Sequence, residues 1–227
     1  MSRPTTKKNI TYKTDKITKY FSENRMSFES FYNSEKEMMK TIDWFPGITV
    51  LDVGCGCGGL GRSLNQEFGV TNYTGVDIHA GSIEMARLLN LDLGFSFVNS
   101  DLLEVEMNAL FDVVVSFSCV DWNIETESMI SKCWKMLKPK GTFLATFRLT
   151  KKNTGFDKKS YQYINYEGQK RGEIAPYVTA SYNDLFNIGK KLECSNISLN
   201  GYFREPSPVA VTKYSELFFC CVAFTKG

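Results

Sequence analysis

The fold is decided by the stretch Val50-Leu51-Asp52-Val53-Gly54-Cys55-Gly56-Cys57-Gly58-Gly59-Leu60, in which an apolar run meets glycines at alternate positions. An apolar run that ends in glycines and continues into a helical pattern predicts a strand that turns tightly into a helix. Glycine lets the backbone approach a ligand where a side chain would collide, and the first turn of the helix offers unpaired amide groups. The stretch therefore predicts a site for a nucleotide-like ligand.

The sequence on both sides of this stretch alternates between strand and helix patterns. Strands are expected at residues 48–53, 73–78, 95–99, 111–117 and 142–149, and helices near 60–68, 82–91, 126–137 and 182–192. Two strand-like runs near the end of the chain, joined by residues 204–213, predict a hairpin with an antiparallel edge strand. We therefore expect an α/β fold with a doubly wound, mostly parallel, Rossmann-like sheet of seven strands.

The chain of 227 residues is expected to form an arm and one domain. Residues 1–33 are the predicted N-terminal arm, and residues 34–227 are the domain, in which 150–180 forms a lid or substrate insertion. Aromatic residues of the arm either fold over the ligand, contact a second copy of the chain, or lack fixed structure.

Two local signals set helix ends. Ser34 and Glu37 fit a capping box that starts the helix leading into the domain. Pro139 and Gly141 are predicted to stop the helix that precedes the fifth strand.

Composition excludes several classes of partner. With 27 basic and 25 acidic residues the chain lacks a strong field for nucleic acid, and the run 217–224 is shorter than the roughly 20 residues that cross a bilayer. The first 19 residues lack the apolar core of a secretory signal. Seven cysteines without a CxxC pair, beside one histidine, predict reduced thiols rather than a metal site. We expect a cytoplasmic protein that binds no nucleic acid, membrane or metal.

Several motifs in order resemble those of the class I S-adenosylmethionine-dependent methyltransferases. The matching segments are Asp52 with Gly54, Gly56 and Gly58, then Thr74-Gly75-Val76-Asp77-Ile78, Asn99-Ser100-Asp101-Leu102, Phe111-Asp112-Val113-Val114-Val115-Ser116 and Leu137-Lys138-Pro139-Lys140-Gly141-Thr142. The resemblance covers residues 48–149, and Lys140 stands where the family has a glycine. Because Gly54, Gly56 and Gly59 also satisfy GxGxxG, an NAD-dependent oxidoreductase is the alternative, and a cofactor-binding protein without transfer activity is a third.

The resemblance implies S-adenosylmethionine as cofactor and S-adenosylhomocysteine as product, without a metal. Asp77 takes the family's place for the carboxylate that accepts both ribose hydroxyls, and Asp101 that of the side chain that meets the adenine amino group. Asp52 either contacts the amino acid end of the cofactor or holds the amides of its own loop. The cofactor-binding residues implied in this way are Asp52, Gly54, Cys55, Gly56, Asp77, Ile78, Asp101, Leu102 and Ser116.

The implied reaction transfers a methyl group to a hydroxyl of a small molecule or a sugar, which is the expected partner. Methyltransferases of this fold that act on nucleic-acid bases usually carry Asn or Asp followed by two prolines after the fourth strand, and Ser116-Phe117-Ser118-Cys119 lacks that pattern. Ligands of such sheets sit beyond the carboxyl ends of the strands. The acceptor site should therefore be built from the loops after the fourth, fifth and sixth strands.

These loops contain the candidate catalytic and substrate residues. Asp121 is the first candidate for a general base, although a turn and helix cap would explain it equally, and Trp122 is a candidate apolar or sugar-stacking wall. His79, the only histidine, is the second candidate base, but its predicted place beside the ribose keeps it from the methyl group. Ser82 is the better cap for the helix that follows Asp77.

Further acceptor contacts are predicted in the lid and the hairpin. Arg148 is a substrate candidate, as are Tyr161, Tyr163, Tyr166 and Tyr177 of the lid. An edge strand packed on the body would explain the alternate tyrosines Tyr161 and Tyr163 equally well. Arg204 either holds a phosphate or carboxylate of the acceptor or forms a surface ion pair.

Overall fold

The computed structural model describes residues 12–14, 16–151, 155–164 and 170–227. The α-helices of this part are α1 (Lys16–Glu23), α2 (Asn33–Lys40), α3 (Gly59–Phe68), α4 (Ala80–Leu89), α5 (Thr126–Lys135) and α6 (Tyr182–Lys191). The strands are β1 (Thr49–Val53), β2 (Asn72–Asp77), β3 (Ser96–Asn99), β4 (Phe111–Ser116), β5 (Leu137–Thr150), β6 (Tyr161–Tyr163), β7 (Ile174–Pro176), β8 (Ala180–Ser181), β9 (Cys194–Arg204), β10 (Ala210–Val211) and β11 (Leu217–Lys226). No described helix is long and apolar enough to cross a membrane.

The main sheet confirms the predicted doubly wound topology. Its strands follow the order β3-β2-β1-β4-β5-β11-β9, with β8 paired to β5. The pairs from β3 to β5 are parallel, and β11 is antiparallel to both of its neighbours. The prediction of an antiparallel edge strand is corrected in one respect: the reversed strand, β11, lies one place in from the edge, and β9 at the edge points the same way as β5. The carboxyl ends of β1, β2 and β4 therefore meet at one edge of the sheet.

Alternating side chains of the central strands enter two separate cores. Leu51 and Val114 belong to the core on one face of the sheet, whereas Val50 and Val113 belong to the core on the other. Because successive side chains of a strand point to opposite faces, a strand covered on both faces must be continuously apolar. Truncating a fully buried leucine such as Leu51 costs about 2–5 kcal/mol of stability. This burial fixes the sheet that carries the glycine turn.

Two predicted helix ends are wrong, and each has a local reason. Helix α2 begins at Asn33, and Glu35 rather than Ser34 and Glu37 supplies the cap, since its Oε2 accepts the Tyr32 amide at 2.9 Å. Helix α5 ends at Lys135, and the segment from Leu137 is already strand β5. There Lys138 Nζ binds Asp112 Oδ2 at 2.8 Å, which aligns the start of β5 with β4.

A second, three-stranded sheet has the order β10-β6-β7, and we call it the roof. Asp157 attaches the roof to the chain that follows it: its Oδ2 accepts the Tyr214 hydroxyl at 2.9 Å and pairs with Lys213 Nζ at 2.7 Å. Its backbone also exchanges two hydrogen bonds with Thr179. The roof thus unites strands from both sides of helix α6.

The described residues from 12 to 30, which we call the arm, pack beside the glycine turn. The Thr18 hydroxyl of α1 lies 3.3 Å from His79 Nδ1 and 3.4 Å from Ser82 Oγ. Arg25 Nη2 donates to both oxygens of the fully buried Glu35 at 2.9 Å. The Arg25 carbonyl lies where a side chain at position 59 would project, so Gly59 is required for this contact.

Candidate functional site

A cavity of about 510 Å³ opens at the carboxyl ends of β1, β2 and β4. Its volume lies within the range of roughly 300–1,000 Å³ that is typical of small-molecule sites. One part, which we call the turn half, is lined by residues 52–57, 59–60, 76–79, 82 and 100–102. The other part, which we call the roof half, is lined by residues 31–32, 117–119, 122–123, 162–164 and 207–209. The arm contributes Ile17, Phe21 and Arg25 to the same cavity.

The glycine turn has a backbone that other residues adopt only with strain. Gly54, Gly56 and Gly58 have φ of 77°, 53° and 77°, in the left-handed region. A Cβ at Gly54 would lie 2.6 Å from Cys119 Sγ, so the turn also fits closely against the loop after β4. The Gly54 amide continues the sheet by donating to the Val76 carbonyl at 2.8 Å. The turn therefore brings bare backbone to the cavity.

Asp77, the last residue of β2, presents a fixed carboxylate to the turn half. Its Oδ2 accepts the Gly56 amide at 2.9 Å and its Oδ1 accepts the His79 amide at 2.8 Å. Burial raises the pKa of this carboxyl, while the two backbone hydrogen bonds oppose that rise. A carboxylate has about four acceptor positions, so two amides leave capacity for the hydroxyls of a ligand.

Asp52 lines the turn half and is held by a side chain rather than by the amides of its loop. Its Oδ2 accepts the Tyr73 hydroxyl at 2.6 Å. Burial raises the pKa of Asp52 to about 7, against the lowering effect of that hydrogen bond. The loop-tying alternative considered for this residue is therefore not what the structure shows.

The remaining residues implied for the cofactor separate into two groups. Cys55, Ile78, Asp101 and Leu102 line the cavity, and Asp101 Oδ1 accepts the Leu103 amide at 2.9 Å. Ser116 is fully buried outside the lining, and its Oγ accepts the Val120 amide at 3.3 Å. The structure thus gives Ser116 a role in shaping the turn after β4.

His79 caps helix α4, which corrects the prediction that Ser82 does so. The Nδ1 atom of His79 accepts the Ser82 amide at 3.2 Å and lies 3.0 Å from Ser82 Oγ. The imidazole lines the turn half with one nitrogen committed to the helix start. This position lies away from the roof half.

Asp121 and Arg148 form a buried ion pair that does not line the cavity. Arg148 Nη2 lies 3.1 Å from Asp121 Oδ2, and both side chains are at most 5% exposed. Burial raises the pKa of Asp121 to about 6, although the Arg148 charge lowers it. Arg148 also donates to the carbonyls of Asp121 and Val178, at 2.8 and 3.1 Å. In this structure neither residue is placed to touch a ligand.

The other substrate candidates divide in the same way. Trp122 and Tyr163 line the roof half, whereas the exposed Arg204 does not. Tyr161 lies in β6 with its ring 5.8 Å from that of Tyr163. Tyr177 is buried behind Trp122 at a ring separation of 5.8 Å, and Tyr166 lies outside the described residues.

Sequence reasoning missed Arg25 and Ser118. Arg25 lines the cavity through a fold of the arm that leaves no local pattern. Ser118 has φ of 53°, unusual for a residue with a side chain, and its amide donates to Thr146 Oγ1 at 2.7 Å. Its place directly after a strand was the one available signal. Among the described residues, no group of three or more His, Cys, Asp and Glu side chains is arranged to hold a metal.

Comparison with known proteins places this geometry in a family. The family model of a methyltransferase domain matches residues 50–141. Malonyl-[acyl-carrier protein] O-methyltransferase of Anoxybacillus flavithermus is 31% identical over 132 residues, which are 56% of this chain and 51% of that protein. Ubiquinone biosynthesis O-methyltransferase of Chelativorans sp. is 33% identical over 124 residues, 53% of this chain and 48% of that protein.

The chain thus spans about half the length of the curated relatives it matches. Its fold is shared by a solved putative S-adenosylmethionine-dependent methyltransferase from Listeria monocytogenes, with a TM-score of 0.60, 16% identity, and coverage of 84% of this chain and 96% of that one. The matched residues contain the glycine turn and Asp77, which meet at the cavity. Residues 50–141 therefore form a methyltransferase domain with the class I fold, the fold of enzymes that take S-adenosylmethionine as their methyl donor.

Proposed function

We propose that this protein binds S-adenosylmethionine in the turn half and transfers its methyl group to a hydroxyl of a small molecule or sugar in the roof half. The observation that carries the proposal is the Asp77 carboxylate, fixed by two backbone amides beside the glycine turn and facing the cavity. O-Methylation is supported by the names of the two relatives described above, which are O-methyltransferases.

The residues of the turn half fit the proposed donor. Asp77 would accept the ribose hydroxyls, a charge-assisted pair of hydrogen bonds that fixes orientation. Gly54 and Gly56 would let the backbone approach the ligand, and Asp101 would meet the adenine. The bound donor supplies an already activated methyl group, so the chain's own task is to align the acceptor and exclude water.

We also propose that the arm and the roof act as covers of this cavity. Phe21 of the arm lies 3.5 Å from where a Cβ of Gly56 would be, and Tyr163 of the roof lines the opposite half. Such covers exclude water from the reaction.

Calorimetric titration tests the donor site. We expect S-adenosylhomocysteine and S-adenosylmethionine to bind and NAD not to bind. Asp77→Ala should weaken S-adenosylhomocysteine binding by about 1.5–3 kcal/mol, the scale of hydrogen bonds to a charged group. The exposed Asp43 offers the control, because Asp43→Ala removes a carboxylate that does not line the cavity. Binding of NAD alone, or unchanged affinity in Asp77→Ala, would contradict the proposal.

Transfer is tested separately with radiolabelled S-adenosylmethionine and pools of hydroxyl-bearing acceptors. Label recovered in a product stable to mild base indicates an ether rather than an ester. Tight binding of the donor without transfer to any pool would favour the third alternative, a cofactor-binding protein without transfer activity.

A further inference from the structure

We infer that the roof half binds an uncharged aromatic ring and that the methylated oxygen is a phenol hydroxyl. The inference rests on the proposed function and narrows its acceptor class. It follows from the walls of the roof half, from the fixed position of one of them, and from the charges around the cavity.

The walls of the roof half are rings and neutral polar groups. Tyr32, Phe117, Trp122 and Tyr163 supply the rings, and Asn123 is among the neutral hydrogen-bonding side chains. Flat apolar walls with a few neutral polar groups suit a ring-shaped ligand that carries hydroxyls.

Trp122 is held in place from behind. The Arg148 guanidinium lies 4.5 Å from the Trp122 ring centre and 3.8 Å from that of Tyr177, so it is stacked against both rings. Arg148 is 3% exposed and lies outside the cavity lining that contains Trp122. A ring fixed from one side in this way presents a preorganised face to the cavity, which lowers the entropy cost of stacking a ligand on it.

The charges of the cavity favour a neutral acceptor. Among the described lysines and arginines, Arg25 is the one that lines the cavity, and its guanidinium is bound by the fully buried Glu35. An anionic acceptor that drew Arg25 away would leave that buried carboxylate unpaired, which is strongly unfavourable. The carboxylates that line the cavity, Asp52, Asp77 and Asp101, belong to the turn half.

The acidity of the acceptor follows from the placement of Asp121. Its carboxylate is engaged with Arg148 behind the wall rather than aimed at the roof half. A phenol ionises near pH 10, as tyrosine does, so part of it is reactive without a side-chain base, whereas a sugar hydroxyl is a far weaker acid. In the transfer, a bond forms between the phenol oxygen and the methyl carbon while the carbon–sulfur bond breaks. The electron pair of that bond remains on sulfur, and the phenol proton passes to solvent.

The first test measures binding without turnover. The full chain is saturated with S-adenosylhomocysteine, and ligand-observed NMR compares phenol and catechol with benzoate, phenyl phosphate and methyl β-glucoside. We expect the two phenols to bind best. Trp122→Ala should weaken their binding about tenfold, the scale of one aromatic stacking contact, and Trp122→Phe should retain most of it.

The outcomes separate the two proposals. Failure to bind S-adenosylhomocysteine would overturn the proposed function itself. With that ligand bound, preference for an anion or the glycoside, no binding of either phenol, or equal phenol binding in wild type and Trp122→Ala would overturn the acceptor class alone. If Trp122→Ala unfolds, Trp122→Leu replaces it, because leucine fills more of the space without offering a ring.

The second test uses the preferred phenol with radiolabelled S-adenosylmethionine. The transfer rate is measured as a function of pH. Below the pKa of the phenol, the logarithm of the rate should rise by one unit for each unit of pH. A plateau at neutral pH would reveal a side-chain base and overturn the inference.

Discussion

The two halves of the cavity are built from different kinds of contact. In the turn half, the position of Asp77 is set by backbone amides of Gly56 and His79, which lie within 21 residues of it. In the roof half, the position of Trp122 is set by the side chains of Arg148 and Tyr177, which lie 26 and 55 residues further along the chain. Backbone contacts depend little on side-chain identity, whereas a stack of three side chains changes with any one of them. The difference suits a donor site that stays constant beside an acceptor site that diversifies.

Removing the Arg148 guanidinium from its stack should give the largest effect, a loss of stability. Arg148→Met leaves the buried Asp121 unpaired, and we expect the free energy of unfolding in urea to fall by about 3–5 kcal/mol. Affinity for S-adenosylhomocysteine, measured by calorimetry, should stay unchanged because the turn half is untouched. Adding Asp121→Asn should recover part of the stability. A loss of donor affinity without a loss of stability would show that the halves are not independent.

Asp52 should make the stability of the chain depend on pH. Burial raises the pKa of Asp52 from 3.8 to about 7, so between these values the folded chain holds more protons than the unfolded chain. The free energy of unfolding should therefore fall as pH rises through this window, by at most about 1.4 kcal/mol per pH unit. Urea denaturation at several pH values measures the slope.

Asp52→Asn is the matched variant for that slope. The stability of this variant should depend less on pH. Burial also raises the pKa of Asp121, to about 6, so the slope is best compared above pH 6, where Asp121 contributes little to it. An Asp52→Asn chain with the wild-type slope would show that this carboxyl titrates normally.

Displacing the arm should give a smaller effect, confined to the turn half. Gly59→Ala places a methyl group against the Arg25 carbonyl, and we expect the arm to shift. Affinity for S-adenosylhomocysteine should fall about tenfold, or 1.4 kcal/mol, and trypsin should cleave faster at Lys19 and Arg25. Gln66→Ala, on an exposed position of the same helix, is the control. Unchanged affinity and proteolysis would show that the arm does not cover the donor.

The cap of helix α4 should give the smallest effect. His79→Ala removes the acceptor for the Ser82 amide and should cost about 1 kcal/mol of stability, the usual value of an N-cap. His79→Asn should restore stability, because asparagine is a good cap. Complete loss of methyl transfer in a stable His79→Asn chain would instead indicate that the imidazole acts in catalysis.

The turn half was predictable because its constraints are local. Alternate glycines after Asp52 and the acid that ends β2 are visible as short patterns, since each is required by the backbone at that position. The α/β topology followed from the alternation of apolar runs for the same reason. Even here, the exact start of α2 was predicted wrongly. Glu35, rather than Ser34, supplies the cap, because the burial of Glu35 against Arg25 decides where the helix begins.

The roof half was predictable only in residue type. Trp122 and Arg148 were identified as candidates, but both were expected to meet the acceptor, whereas Arg148 lies behind the wall. That stacking depends on β5 lying beside the turn after β4, a relation that periodicity does not encode. The direction of β11 likewise depends on how the hairpin closes, so the sequence predicted its antiparallel pairing and not its place in the sheet.

The contact between the Arg25 carbonyl and Gly59 has a consequence for comparing related chains. The arm makes this contact through a main-chain carbonyl, so the contact itself does not depend on which side chain the arm carries there. A docked arm is then marked in a sequence by a glycine at the position of Gly59, on the first turn of α3. Among relatives whose N-terminal segments no longer align, a glycine at this position would identify those that still carry the arm, and a larger residue those that have lost it.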